Sequence, residues 1–197
     1  IQAALDSGAQ SVYAPSGTYL ITALTITSEM GFHGKGTLKR NAVASSAMLQ
    51  ITSSNVEING LGFDGAGAGA TISAANTSEF AIKATGTSST AKITDVKIMN
   101  TTIDGVAGVG VRCDFAVLCL SITDSLISKN RIDNIDASSG ITNWYGITLT
   151  RDPSITLTLS ERSANCTISR NFISNVPDWT GIDLHGAYKC IITDNQV

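Results

Sequence analysis

Five stretches decide the fold: VEINGLGF at 56–63, VKIMNTTI at 96–103, SLISKNRI at 125–132, CTISRNFI at 166–173 and CIITDNQV at 190–197. Each puts an apolar residue at its third and eighth positions: Ile58/Phe63, Ile98/Ile103, Ile127/Ile132, Ile168/Ile173 and Ile192/Val197. The sixth position reads Leu61, Thr101, Asn130, Asn171, Asn195. Offsets inside the phrase never change, whereas the starts at 56, 96, 125, 166 and 190 are unevenly spaced. Constant strand phrases with elastic connections are the signature of stacked turns, because a longer loop costs little closure entropy. The asparagine column fits an internal amide ladder at a corner.

A second phrase interleaves with the first: MLQIT, AIKAT, GVRCD, GITLT and GIDLH, starting at Met48, Ala81, Gly110, Gly146 and Gly181. Apolar residues alternate within it, as strands with one face inward require. A β-sandwich would need hairpin turns at regular short spacing, and these are missing. The expectation is therefore all-β: a right-handed parallel β-helix, a solenoid in which only IQAALDSG at the start has helical character, as a short N-terminal capping helix. Residues 1–40 would form the cap and first rung, and 41–197 one continuous domain of rungs with loop insertions. The chain opens without methionine and closes within a strand phrase, so it reads as a fragment of a longer, C-terminally truncated chain.

Composition narrows the function classes. Of 197 residues only 15% are charged, the net charge is −3, and no Lys/Arg run occurs, which speaks against a nucleic-acid partner. The 43% hydrophobic content comes in short runs, too short for membrane insertion. The four cysteines, Cys113, Cys119, Cys166 and Cys190, form no CxxC pair, so no zinc or redox motif is indicated. Cys166 and Cys190 share one inward phrase position, where free thiols would act as small hydrophobes.

The opening IQAALDSGAQSVYAPSGTYLITALTI, with Val12, Tyr13, Pro15, Gly17 and Tyr19 in a V-Y-x-P-x-G-x-Y pattern, is followed by a G-x-G turn at Gly34 and Gly36. This resembles the start of pectin-lyase-like β-helices, especially bacteriophage tailspike depolymerases, and the later phrases resemble that family's rungs. The resemblance implies a virion-tail protein assembled in the bacterial cytoplasm. It also implies homotrimerisation through parts outside this stretch, and a bacterial surface polysaccharide (capsule or lipopolysaccharide O-antigen) as partner and substrate. A secreted polysaccharide lyase acting on a uronate polymer and a non-catalytic adhesin or tail-fibre shaft are the alternatives, since one coil serves many chemistries.

In the second phrase two outward columns emerge: Gln50, Lys83, Arg112, Thr148, Asp183, and Thr52, Thr85, Asp114, Thr150, His185. A third reads Ser46, Glu79, Gly108, Trp144, Trp179. Trp144 and Trp179, with Tyr145 beside them, would be a platform for the apolar face of a sugar, or else a cover over a core edge. The loops around 138–144 and 176–180 would wall one side of a groove, and the insertion 151–165 the other. Glycoside hydrolysis needs two carboxyl groups, one to protonate the leaving oxygen and one to activate water or attack. Asp183 is the first candidate, with His185 two residues on. Asp114 is the second, its Cα about 12 Å away from rung and strand spacings. Asp152, Glu161 and Asp178 compete for that role. Arg112 would pair with an acidic sugar's carboxylate, or with Asp114. His185 as a general base would instead make the reaction a lyase. No cofactor and no metal are expected. Asp64, Asp104 and Asp133 read as turn residues.

Overall fold

The computed structural model describes residues 1–40, 47–65, 80–86, 92–104, 115–133, 145–150, 162–176 and 180–197. Every strand pairing in it is parallel, and the strands wind as a parallel β-helix with three faces. The first phrase supplies one stack: Val56–Asn59, Val96–Met99, Leu126–Ser128, Thr167–Ser169 and Ile191–Thr193, with Ile58, Ile98, Ile127, Ile168 and Ile192 in one register line. The phrase ends form a second stack, Gly62–Asp64, Thr102–Asp104, Arg131–Asp133 and Phe172–Ile173. The second phrase forms a third sheet, Leu24–Ile26, Leu49–Ile51, Phe80–Thr85, Phe115–Leu120, Tyr145–Thr150 and Thr180–Asp183.

The core is the inside of the coil. Ile58, Ile98, Ile168, Ile82, Val117, Ile147 and Leu149 are fully buried, and burial of each such side chain is worth about 1.5–3 kcal/mol. At the start, helix Gln2–Leu5 covers the open end with Leu5, while the Gln2 side chain brackets the backbone of Thr25 as donor and acceptor.

Corners are built from two recurring left-handed residues. One precedes each first-phrase strand (Asn55, Asp95, Asp124, Asn165, Lys189), and the other occupies its fifth position (Gly60, Asn100, Lys129, Arg170, Asp194). Asn, Asp and Gly tolerate that conformation best, which explains most of these identities. Immediately after the second of them runs the amide ladder. Asn171 Nδ2 donates to Asn195 Oδ1 at 2.9 Å, Asn130 Nδ2 to Asn171 Oδ1 at 3.0 Å, and Thr101 Oγ1 to Asn130 Oδ1 at 2.8 Å. Asn130, Asn171 and Asn195 Nδ2 also donate to the Ile98, Ile127 and Ile168 carbonyls respectively, so the corner's buried polar groups satisfy one another.

Three expectations change. The G-x-G element is not a turn: Gly34 and Gly36 lie inside the strand Met30–Arg40, which pairs with the first stack through His33 and with the second from Thr37. A Cβ on Gly34 would stand 2.0 Å from the Ala14 carbonyl, so the glycine is needed for close strand approach. Asp64, Asp104 and Asp133 are not turn residues but the register-matched last residues of three strands, with Lys39 3.1 Å from Asp64 and Arg131 3.0 Å from Asp133.

The third change is a strand slip. The rung placed at Gly110 is formed instead by Phe115–Leu120, with Val117 beside Ile82 and Ile147. This segment is apolar throughout and opens on an aromatic residue, as do its neighbours at Phe80 and Tyr145.

Among the described residues Cys119, Cys166 and Cys190 are free thiols, the first two buried. Burial pushes the Cys119 thiol well above its ordinary value and the Cys166 thiol up to about 11. At pH 8 about one Cys166 in a thousand is then ionised. Iodoacetamide at that pH is expected to alkylate half-exposed Cys190 in the native protein and to leave Cys166 untouched until unfolding. Peptide mass mapping checks it, and equal labelling would contradict the packing.

Candidate functional site

Asp183 ends the strand Thr180–Asp183, in register with Thr148 on the strand before. Its neighbour Ile182 pairs with Ile147 and packs against the core, so alternation turns Asp183 outward, where it is half-buried. His185 lies two residues on, in the turn that follows the strand, and is exposed. Its backbone carbonyl accepts a hydrogen bond from the Thr150 hydroxyl, which fastens this turn to the preceding rung. Tyr145, half-buried, starts its strand and pairs with Thr180.

Because of the slip, the register line that ends at Asp183 runs Gln50, Lys83, Leu118, Thr148, Asp183. Leu118 and Leu120 hold the two positions expected for Arg112 and Asp114. The alignment of Arg112 with Thr148 and Asp183 therefore fails, and the 12 Å separation drawn for Asp114 and Asp183 falls with it. Arg112 and Asp114 themselves lie outside the described residues, as do Trp144, Trp179, Cys113, Asp152, Glu161 and Asp178. So does most of the three loops expected to wall the groove. Thr148 also departs from expectation: it is only 3% exposed, and its hydroxyl has no hydrogen-bond partner among the described residues. Unsatisfied buried hydroxyls are uncommon and cost about 1–3 kcal/mol, and this one sits on the strand next to Asp183. Lys83, two rungs before Thr148, sits over the Phe80 ring, 5.2 Å from its centroid.

No family model, curated protein or solved structure matches the chain. Among the described residues the site has one carboxylate on a regular strand, an adjacent buried hydroxyl, and an imidazole-bearing turn. A carboxyl group so placed has the reach to exchange a proton with a ligand lying across the rungs. The sequence carried the signal for the slip in a repeated aromatic before a small residue, Phe80-Ala81, Phe115-Ala116 and Tyr145-Gly146.

Proposed function

We propose that this chain is part of an endo-glycosidase that binds and depolymerises a bacterial surface polysaccharide, in the manner of a phage tailspike attaching to its host. One observation carries the reading. Asp183 stands outward on a parallel sheet whose rungs at that end pair Tyr145 with Thr180. In sequence those two residues directly follow Trp144 and Trp179, the chain's two tryptophans. Phe115, paired with Tyr145, directly follows Asp114 in the same way. An aromatic pair to hold pyranose rings and one of the two carboxyl groups that cleavage requires are then close together along the chain.

In this mechanism Asp183 protonates the glycosidic oxygen as the bond breaks. A second carboxylate, from Asp114 or from Asp152, Glu161 or Asp178, activates water or attacks the anomeric carbon. Arg112 serves an acidic sugar if the polymer has one. Thr148, whose buried hydroxyl is unpartnered among the described residues, stands in register with Asp183 on the neighbouring strand. A lyase is the second reading, favoured by the exposed His185 in a turn that Thr150 holds in place: His185 would then abstract the proton next to a uronate carboxylate.

Incubating the full-length protein with a panel of bacterial capsules and O-antigens, and separating products by size, tests the proposal. At least one polymer is expected to shorten. If it does, Trp144→Ala or Trp179→Ala is expected to raise KM with little change in kcat, because ring stacking serves ground and transition states alike. Unchanged KM in both variants would place the sugar elsewhere on the coil.

A further inference from the structure

We propose that the outer face of the first sheet carries a second glycan-holding site, built on Tyr13, His33, Glu57, Asn59 and Lys97 and selecting neutral pyranose units. It rests on the reading of the substrate as a polysaccharide, but it uses none of the residues around Asp183.

Register brings these side chains together. Tyr13, His33 and Asn59 face one another on adjacent strands, and Gly31, Glu57 and Lys97 fill the next column. Phe32, Ile58 and Ile98, between the columns, are wholly buried, so both columns point outward. Tyr13 leaves 64% of its surface in solvent, an open aromatic ring at the edge of the strip. A Cβ at residue 31 would come 2.0 Å from His33 Nε2, so only glycine lets the imidazole fold across its own strand. Beside it lies a cleft of about 560 Å³, lined by His33, Glu57, Lys97, Asp95, Asn55 and Glu29 among others.

These groups are held before any ligand arrives. The Glu57 carboxylate lies 3.8 Å from His33 Nδ1 and accepts from Asn59 Nδ2 at 3.0 Å. Asn59 Oδ1 in turn accepts from Asn100 Nδ2 at 2.9 Å. Lys97 pairs with Asp95 at 3.1 Å, and Asn55 donates to Glu29 at 3.1 Å. His33 and Glu57 remain about a third exposed, 34% and 35%, so each can still meet a ligand. Preorganised donors and acceptors lower the ordering cost of binding. Repeated at the rung spacing of about 4.8 Å beside an open aromatic ring, they suit a hydroxyl-rich ring with one apolar face.

The ligand's charge follows from the pairing. Glu57, Glu29 and Asp95 each already have a donor, and Lys97 already faces Asp95, so a uronate carboxylate entering the cleft would meet Glu57 and Glu29 without a spare lysine or arginine among the lining residues. The same columns turn plain further along the coil: Leu126, Thr167 and Ile191 in one, Ser128, Ser169 and Thr193 in the other. The polar concentration is therefore local to this end.

The test uses the full chain with maltohexaose, cellohexaose and mannohexaose, and hexagalacturonate as the charged counterpart, followed by NMR of the Tyr13 and His33 resonances. A neutral oligosaccharide is expected to shift them. Tyr13→Ala and Glu57→Gln are each expected to weaken that binding about tenfold with the fold intact, and Asp183→Asn to leave it unchanged. Silence of these resonances with every neutral sugar, wild-type affinity in Tyr13→Ala, or equal binding of hexagalacturonate would overturn the proposal. A protein that binds here yet shortens no polymer would refute the depolymerase reading and leave this site standing.

Discussion

Asp183→Asn is expected to cut turnover on the cleaved polysaccharide by about 10²–10⁴-fold while leaving its binding nearly intact. The substitution keeps the shape of the side chain and removes only the transferable proton and the charge. Asp183 contributes little to the fold: it is half-buried, at the last position of its strand, and the same register line holds residues as different as Gln50, Lys83 and Thr148. A loss of rate therefore has no structural route to follow, and an unchanged melting temperature beside lost turnover would identify chemistry. Steady-state kinetics paired with polymer binding by the variant separates the two quantities. Full turnover in Asp183→Asn would move the acid to Asp114 or to the loop carboxylates.

The largest stability effect is expected at the amide ladder, far from any chemistry. Asn171 is 2% exposed, and its side chain joins three rungs. Asn171→Ala would strand the Asn130 backbone N–H, the Asn130 amide and the Ile127 carbonyl. At about 1–3 kcal/mol for each unsatisfied group, partly relieved by relaxation, the variant is expected to lose about 3–5 kcal/mol. That is a large share of the roughly 5–15 kcal/mol that holds an ordinary domain together. Urea denaturation of the variant measures the loss. A loss below about 1 kcal/mol at Asn171 would mean the ladder decorates the corner without sustaining it.

Much of this architecture was legible because a solenoid writes its contacts into the sequence at fixed offsets. The third-position isoleucines, the eighth-position apolar residues and the asparagine column all stack as their spacing required. The left-handed corners were equally visible, in Asn55, Asp95, Asp124 and Asn165 before each strand, but a search for apolar periodicity passes over them. The rung at Phe115–Leu120 was misplaced because period-two alternation cannot choose between two neighbouring candidate stretches. Pairing with the aromatic-led strands on both sides makes that choice, and it depends on neighbours distant in sequence. The same limit hid the strip at Tyr13, His33 and Glu57, whose members come from three different strands. The outward place of Asp183 at the end of its strand was legible from alternation alone. Arg112 and Asp114 were assigned through the misplaced rung, so their places in the outward columns were lost with it.

The central claim is most directly tested by treating a susceptible capsule or O-antigen with full-length wild-type protein and Asp183→Asn side by side. The products are then analysed by mass and ultraviolet absorbance. Wild type is expected to release oligosaccharides with hydrated reducing ends, while the variant leaves the polymer long but still bound. Intact polymer with both proteins across the whole panel, or the same oligosaccharides from both, would contradict the account.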